Sequence, residues 1–396
     1  MNDRIARRTA APTDQAIGEA FVRLERWGRE RGWQGSDPYD GLNATRLVGP
    51  LKRSALGRRV LTQAVKRSPL DLRPLLGIAP ARSAAATALV TSGYALQRIL
   101  SENETEAKLD EALATLLDQR LPGYEQPCWG YHFDVQTGVF FYPVGAPNTI
   151  ATAFAGLALL DAYERAGRTE LLELARSVAH FFVLHVPQTD AERGAFFGYL
   201  VGDRTPIHNA SMLVAALLAR VARATGDHDL RRRAQLAVDY TVARQRPDGS
   251  WPYGEERHLA WVDNFHTAYV LTCLETCRRG GLDSCEQALS DGLRYYVREL
   301  FLPDGTPKYF PHSTYPIDGQ CAAEAVRLFA LATDFDPESA ALAHRSFAYA
   351  ERELARGDGA YVFQRRRLWT NRQPHIRWIE APFLVALATL SRTGSP

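Results

Sequence analysis

The 396-residue sequence lacks a long hydrophobic run. No apolar stretch reaches the roughly 18 residues that a membrane-spanning helix needs, so we expect no membrane span. The first residues, Met1-Asn2-Asp3-Arg4, do not form the apolar core of a signal peptide, which predicts a cytoplasmic location. The five cysteines are an odd number, which fits reduced thiols. Cys273 and Cys277 lie one helical turn apart in an apolar segment, as is typical of buried structural thiols.

The sequence also lacks the common motifs of cofactor and metal chemistry. It contains no Gly-x-Gly-x-x-Gly or Gly-Lys-Ser/Thr phosphate loop and no Gly-x-Ser-x-Gly nucleophile turn. Cys-x-x-Cys and His-Glu-x-x-His metal patterns are absent as well. We therefore predict no cofactor and no metal. The 47 basic and 45 acidic residues balance in most segments, so we expect no nucleic-acid partner.

What the sequence does contain is a repeated pair of helices. Residues 148–163 are apolar nearly all round, which predicts a buried inner helix. Residues 171–182 place their apolar side chains on one face, which predicts an outer helix. The same order starts again at Asn209, Asp263 and Asp318. These units close on aromatic-rich or Asp-Gly turns, of which Gln245-Arg246-Pro247-Asp248-Gly249-Ser250-Trp251 is the clearest.

Stacked helical hairpins of this kind form a solenoid or a ring. Residues 82–117 predict an earlier hairpin, and residues 42–65 a possible further one. The last helix, 378–390, has no helix after it, so we expect it to pair with the N-terminal helix near 14–29 and to close the ring. The predicted fold is all-α: a single-domain toroid, (α/α)6 or (α/α)7, over residues 1–396, with the clearest repeats in 121–396.

In such a ring the starts of the inner helices face a common hollow. The polar residues at these starts are Asn148, Asn209, Asp263, Asp318 and Glu380, spaced 61, 54, 55 and 62 residues apart. One reading is that they are helix N-caps, for which Asn and Asp are preferred. The other is that they act on a ligand in the hollow. Capping does not require His266, which shares a helical face with Asp263.

We predict acid-base catalysis by these residues. Asp263 and Asp318 are the leading carboxylate pair, Glu380 is the substitute, and His266 relays protons. Two carboxyl groups would serve glycoside hydrolysis, one as the acid and the other as the base that activates water. If the substrate is a uronate, the same hollow could abstract the C5 proton, with a histidine or Tyr315 as acid or base. That chemistry leads to epimerisation or elimination.

Aromatic and basic residues near the same loops predict an anionic saccharide. Aromatic rings can pack against the apolar face of a sugar, or they can fill the hairpin junctions. Arginine binds carboxylates through its planar fork, although residues 365–367 also fit a solvated surface run. The predicted substrate-binding residues, together with Asn148 and Asn209, are Trp129, Tyr131, Trp251, Tyr253, Trp261, Lys308, His375, Arg377 and Trp378.

Several segments of the sequence resemble a bacterial protein family associated with exopolysaccharide biosynthesis. They are Trp129-Gly130-Tyr131-His132-Phe133-Asp134, Gly145-Ala146-Pro147-Asn148-Thr149, the turn 245–251, Trp261-Val262-Asp263-Asn264-Phe265-His266-Thr267 and Asp304-Gly305-Thr306-Pro307-Lys308-Tyr309. The resemblance covers about residues 124–390. It implies a six-hairpin toroid like those of glycoside hydrolases, polysaccharide lyases and uronosyl epimerases. It also implies an oligosaccharide or polysaccharide substrate and partners in a biosynthetic complex.

Three alternatives stay open. The turn 245–251 also resembles the Gln-Trp motif of triterpene cyclase toroids, although an Asp-x-Asp-Asp and an Asp-Asp-x-x-Asp motif are absent. A toroid that only binds a glycan or a partner protein would show the same repeats. Asp263, His266, His258 and His208 could together hold a divalent metal ion across the ring.

Overall fold

A computed structural model describes residues 13–46, 48–136 and 141–393. Its α-helices, in chain order, are α1 (Asp14–Glu30), α2 (Ala55–Arg67), α3 (Arg73–Leu76), α4 (Ala84–Leu96), α5 (Glu102–Asp118), α6 (Thr149–Ala166), α7 (Thr169–His185), α8 (His208–Thr225), α9 (His228–Val242), α10 (Asn264–Arg279), α11 (Glu286–Leu300), α12 (Gly319–Leu331), α13 (Glu338–Glu353) and α14 (Ala381–Leu390). No helix in these ranges combines the length and apolarity needed to cross a bilayer.

The helices form an (α/α)6 toroid. The inner ring is α4, α6, α8, α10, α12 and α14, in which each helix contacts the next and α14 contacts α4. The outer helices α5, α7, α9, α11 and α13 each pack on the inner helix that precedes them. Helix α1 is the sixth outer helix and packs on α14. The predicted pairing of the two chain ends is therefore confirmed.

Burial explains which helices are inside. Every residue from Ala84 to Ala95 of α4 is buried, and all ten residues of α14 are buried, because inner helices touch neighbours on all sides. Outer helix α9 instead buries six residues of its 15 and carries Arg231, Arg232 and Arg233 near its start. The apolar and amphipathic patterns in the sequence thus correspond to the two layers.

The turns that follow outer helices α9, α11 and α13 depend on Asp-Gly pairs. Asp248 accepts the backbone N–H of Ser250 at 2.9 Å, which closes the turn after α9. Gly249 has a φ of +94°, and a Cβ there would lie 2.5 Å from the Asp291 carbonyl oxygen. Only glycine fits this position, because the backbone is left-handed and the neighbouring chain is too close for a side chain. Gly305 and Gly359 repeat the positive φ.

The predicted seventh hairpin at residues 42–65 is wrong. This segment holds a 3-10 turn (Asp40–Asn43), a second 3-10 turn (Leu51–Arg53) and α2, which pack on each other around their own small core. The segment spans 24 residues and is interrupted at Gly49-Pro50, so it has room for one full-length helix rather than two. The result is six hairpins and a separate layer that borders the ring.

Short strands complete the end of the ring where the inner helices begin. Strands β1 (Val135–Gln136) and β2 (Phe141–Tyr142) are antiparallel, as are β3 (Gln188–Asp190) and β4 (Ala195–Phe197). A three-stranded sheet has the order β5 (Ile317–Asp318), β6 (Gln364–Arg365) and β7 (Thr370–Asn371). Helix α2 contacts β1, so the added layer lies at this same end.

Candidate active site

A cavity of about 500 Å³ opens where the inner helices begin. Its walls come from the first turns of α6, α8, α10 and α12, from the loops before them, and from α2, which contributes Arg59 and Gln63. Half of its lining residues are aromatic: Tyr39, Tyr131, Phe133, Tyr142, Phe154, Tyr199, Tyr253, Trp261, Phe265, Tyr269, Tyr309, Phe310 and Trp378. Volume and lining are those of a small-molecule site rather than of a packing defect.

Four aromatic residues hold equivalent places in successive loops. The first backbone N–H of four inner helices, α6, α8, α10 and α12, donates to the carbonyl of one of them, at 2.8 to 3.2 Å: Thr149 to Tyr199, His208 to Tyr253, Asn264 to Tyr309 and Gly319 to Phe363. These bonds satisfy a helix-start N–H and at the same time fix the ring next to the hollow. Tyr199, Tyr253 and Tyr309 all line the cavity.

Asp263 combines a capping role with a position in the cavity wall. Its Oδ1 accepts the backbone N–H of His266 at 3.0 Å and so caps α10. Its Oδ2 accepts the indole N–H of Trp261 at 2.9 Å and lies 2.7 Å from His266 Nδ1. The carboxylate is 2% exposed. The Asp263 carboxylate is therefore held in place by three groups, the His266 backbone, the His266 ring and the Trp261 indole, rather than presented to a ligand.

His266 is one of the two histidines that line the cavity, with His258. Its Nδ1 is engaged by Asp263, which favours the tautomer with the proton on Nδ1 and leaves Nε2 as an acceptor. Nε2 makes no hydrogen bond to any described residue, and the side chain is 20% exposed. The ring packs 4.4 Å from Tyr253 and 3.9 Å from Phe265, centroid to centroid. Tyr253 in turn stacks on Trp261 at 4.7 Å.

Amide and phenol groups supply the remaining polar lining. The side-chain oxygens of Asn209 and Gln320 are buried and have no partner among the described residues, so they can accept hydrogen bonds from a ligand. Gln320 donates its amide N–H to the Tyr269 hydroxyl at 3.1 Å. Burial raises the pKa of Tyr131, Tyr269 and Tyr309 well above the ordinary phenol value, which keeps these hydroxyls protonated as donors.

Arg377 lines the cavity, but Asp37 already engages its fork. Arg377 Nε donates to Asp37 Oδ2 at 2.6 Å and Nη2 to Oδ1 at 2.8 Å. Burial opposes the charge of Arg377, yet the Asp37 carboxylate raises its pKa. Burial likewise opposes the charge of Asp37, and Arg377 nonetheless lowers the pKa of that carboxyl. The expectation that Arg377 offers a two-pronged site to a substrate carboxylate is not met by this geometry.

Asp318 and Glu380 lie outside the cavity lining. Asp318 caps α12 through the Gln320 N–H at 2.9 Å and accepts the Gln364 amide at 2.6 Å. Burial raises the pKa of Asp318 to about 6. Glu380 accepts the backbone N–H of Tyr361 at 3.1 Å, and burial raises its pKa well above the ordinary value. The structure therefore does not bring three carboxylates together around one ligand.

The bond made by Glu380 repeats one made elsewhere in the ring. Thr152 Oγ1 accepts the N–H of Trp129 at 3.0 Å, and Ser211 Oγ accepts the N–H of Phe197 at 3.1 Å. Each bond joins the first turn of an inner helix to the loop after the preceding outer helix. Glu380 does the same at the end of a π-helical turn (Ile376–Glu380), which inserts one extra residue. The equivalence favours a structural role for Glu380.

Other predicted binding residues also lie away from the hollow. The Trp129 and Trp251 indoles are buried in the core and donate to the carbonyls of Leu116 and Thr241, both at 2.8 Å, so they fill hairpin junctions. Asn148 caps α6. Lys308 Nζ donates to the Pro311 carbonyl. His375 is fully buried beside Ser36, and Tyr315 is 43% exposed in a loop. The predicted residues that do line the cavity are Asn209, Tyr131, Tyr253, Trp261, Asp263, His266, Arg377 and Trp378.

The proposed metal set does not assemble. His208 Nε2 lies 2.6 Å from Glu255 Oε1, whereas His266 is engaged by Asp263. Among the described residues, no group of three His, Cys, Asp or Glu side chains is placed to hold a metal ion.

Some lining residues escaped the sequence reasoning. Tyr199 holds the same loop position as Tyr253 and Tyr309, so alignment of the repeats could have found it. Tyr39 and Arg59 belong to the layer outside the repeats, and no periodic signal marks them.

The fold is shared with solved structures of carbohydrate-active enzymes. The cellobiose 2-epimerase of Bacillus thermoamylovorans aligns with a TM-score of 0.62 at 15% identity, over 78% of this chain and 87% of that one. The GH76 α-mannanase of Bacteroides thetaiotaomicron aligns with 0.60 at 12% identity, over 79% and 86%. A glycosyl hydrolase family 88 protein of Bacteroides vulgatus aligns with 0.63 at 7% identity, over 96% and 100%.

These similarities establish the (α/α)6 toroid as the fold. At identities this low, they support a conclusion about the fold alone. No protein-family model and no curated protein matches the chain.

Proposed function

We propose that this protein is an enzyme that transfers protons on a saccharide bound in the aromatic cavity. The observation that carries the proposal is the Asp263–His266 pair, in which a buried carboxylate orients an imidazole in the cavity wall through Nδ1 and leaves Nε2 without a partner among the described residues. Histidine oriented in this way is a common acid-base group. The aromatic rings and the two unpartnered amide oxygens suit the C–H faces and hydroxyls of a sugar.

The arrangement favours proton transfer at carbon over hydrolysis. Hydrolysis by the usual route needs two carboxyl groups flanking the glycosidic bond. Asp263 is the one carboxylate among the described lining residues, and it is occupied by Trp261 and His266. Asp318 and Glu380 are engaged elsewhere. We therefore assign the chemistry to His266 and give Asp263 a positioning role, which reverses the roles that the sequence predicts.

The reaction we propose starts with removal of a proton from a carbon next to a carbonyl or carboxylate of the sugar. His266 Nε2 takes the proton, and the electron pair of the broken C–H bond moves onto the carbonyl oxygen. Protonated tyrosine hydroxyls can donate to that oxygen. Return of a proton to the opposite face of that carbon gives the epimer. In elimination, the electron pair returns from the oxygen to form a C=C bond and breaks the C–O bond of the β-carbon, and the leaving oxygen takes the proton that His266 holds. We assign return of the proton to His258, the other imidazole of the lining.

An isotope experiment tests this proposal. The protein is incubated in deuterium oxide with a panel of neutral and acidic oligosaccharides, and products are analysed by mass spectrometry. Deuterium uptake indicates epimerisation, an unsaturated product that absorbs in the ultraviolet indicates elimination, and a gain of water indicates hydrolysis. His266→Gln should abolish deuterium uptake, whereas His258→Gln should retain uptake into the starting sugar but not form the epimer.

His228→Gln is the matched control, because His228 is exposed on α9. Hydrolysis that survives in His266→Gln would refute the assignment. A role in polysaccharide biosynthesis, with complex partners, remains part of the proposal and rests on the family resemblance.

The aromatic lining also favours a second candidate, terpenoid cyclisation, in which rings stabilise carbocations. The presence of Arg377, His266 and two open amide oxygens makes this cavity more polar than such chemistry needs, so we rank it second. Incubation with prenyl diphosphates, followed by extraction and analysis for cyclic hydrocarbons, separates the two.

A further inference from the structure

Helix α2 has an apolar stripe on each of two sides. On the inner side, Leu61 and Val65 are buried in the small core of the added layer. On the outer side, Leu56 and Val60 are 71% and 52% exposed. Leu56, Val60 and Ala64 are spaced by four residues and so form a continuous stripe on the solvent face. Nothing in the toroid requires these outer positions to be apolar.

Further exposed apolar side chains surround this stripe. Arg58 lies 4.4 Å above the Phe141 ring, which places β2 beside α2. Asn371 donates to the Ser68 carbonyl at 3.3 Å, which places the β6–β7 hairpin at the end of α2. Seven of the twelve large apolar side chains exposed in the described part of the chain lie in residues 51–75, in β2 or in the β6–β7 hairpin: Leu51, Leu56, Val60, Leu70, Leu75, Phe141 and Leu368. We call them the α2 surface.

The same segments are strongly basic. Residues 46–82 contain nine lysines and arginines and one acidic residue, Asp71. The exposed cations of this stretch include Arg46, Arg53, Arg59 and Arg67, and Arg367 precedes Leu368 in the hairpin. The chain as a whole is nearly neutral, with a formal net charge of +2, so this basic excess is local.

We propose that the α2 surface docks on an anionic lipid bilayer. Helices that lie in the bilayer interface combine exposed apolar side chains, which enter the headgroup boundary, with basic residues that attract acidic lipids. Nucleic acid would engage the arginines but would leave five leucines, a valine and a phenylalanine in water. The basic charge of the α2 surface favours an anionic partner. The apolar stripe favours a lipid surface over other anionic partners.

Docking would bring the cavity opening to the membrane. Arg59 and Gln63 line the cavity, and Leu56 and Val60 of the same helix carry the stripe. A saccharide held at the bilayer by a lipid anchor would then reach His266 without leaving the surface. This consequence rests on the proposed function, whereas the docking itself does not.

Vesicle sedimentation with the full chain tests the docking. The protein should sediment with vesicles of phosphatidylcholine and phosphatidylserine, and not with vesicles of phosphatidylcholine alone, and the binding should weaken as salt is raised. Absence of sedimentation with the anionic vesicles overturns the proposal. Equally tight binding to a DNA duplex, with competition between the duplex and the vesicles, would identify a nucleic-acid surface and also overturn it.

Two variants separate insertion from simple charge attraction. Leu56→Ser with Val60→Ser should reduce vesicle affinity by about tenfold or more, because the apolar contribution is lost. Arg53→Glu with Arg67→Glu should reduce it by a similar factor. Leu184→Ser, at a leucine 62% exposed on α7, is the matched control and should bind like the parent protein.

Circular dichroism is the check that each variant is folded. Unchanged affinity of the Leu56→Ser, Val60→Ser protein refutes docking through the stripe. A parent dimer that this variant converts to a monomer would show that a second copy covers the surface, which also refutes the proposal. Deuterium exchange on a soluble oligosaccharide should be unaffected in all variants, so failure of docking and failure of the proposed function are distinguishable.

Discussion

Asp37 and Arg377 lie 340 residues apart in the chain and form a buried, two-pronged ion pair at 2.6 and 2.8 Å. Asp37 follows helix α1, and Arg377 lies in the π-helical turn before the last inner helix. The pair therefore joins the two ends of the repeat where the ring closes. It also holds the guanidinium 4.6 Å from the Tyr131 ring in the cavity wall.

Removal of Asp37 should destabilise the protein strongly. In Asp37→Ala the Arg377 charge stays buried without its carboxylate, which costs about 3–5 kcal/mol of the free energy of unfolding. Urea denaturation measures the change. Asp110→Ala is the control, because Asp110 pairs with Arg168 on the surface and should cost about 1 kcal/mol or less. A similar small loss in Asp37→Ala would show that the pair is dispensable.

Asp263→Asn tests the positioning role of Asp263. Asparagine also caps helices, so α10 and the free energy of unfolding should change by only about 1 kcal/mol. The amide cannot stabilise a protonated imidazole, so kcat for proton exchange should fall by about 10²-fold or more while KM changes little. A variant that loses affinity but keeps kcat would instead identify Asp263 as a group that binds substrate.

Asp318 should make stability depend on pH in the acidic range. Burial raises its pKa to about 6 from the ordinary value of 3.8, so the folded state holds a proton that the unfolded state releases. The Asp318 contribution is complete below about pH 4 and falls as pH rises to about 6, by on the order of 2–3 kcal/mol.

Asp318→Asn keeps the cap and removes the titration. The unfolding free energy of the parent minus that of the variant should therefore decrease as the pH rises from 4 to 6. Because both proteins retain every other titrating group, including the buried histidines, subtraction isolates this one. Parallel curves across that range would mean that Asp318 titrates alike in both states.

Two tryptophans that look alike in sequence should respond differently to substitution. Trp251 is a core residue, so Trp251→Ala should cost about 3–5 kcal/mol of stability. Trp261 is 40% exposed at the cavity rim, so Trp261→Ala should cost much less and should instead weaken saccharide binding.

Thermal denaturation and calorimetric titration with the reactive oligosaccharide measure the two effects. Equal losses of stability in both variants would contradict the assignment of Trp261 to the site.

The repeats can be predicted from the sequence because each hairpin is subject to the same local constraints on burial and turn geometry. An inner helix touches neighbours on every side and must be apolar, and the Asp-Gly turn at Gly249 requires a left-handed glycine. The first turns were readable for the same reason, since Asn148, Asp263 and Asp318 do cap helices. The function of those residues could not be predicted from the sequence, because a cap in the cavity wall and a cap in the core have the same sequence signature.

Residues 31–80 illustrate the limit more sharply. They lie outside the repeat, so no periodicity predicts that Tyr39 and Arg59 border the hollow or that Asp37 reaches Arg377. The Arg377 fork was predicted to be open to a substrate, and its occupation by Asp37 is a contact between the chain ends that spacing does not encode.

The sequence by itself determined the toroid, its two layers and the turns that close its hairpins, because periodicity and turn chemistry act over a few residues. Only the tertiary structure decided that Asp263 supports His266, that Asp318 and Glu380 face other partners, and that a basic, apolar helix borders the opening. Those features depend on which side chains meet across the ring, and that is settled by packing among segments distant in the chain.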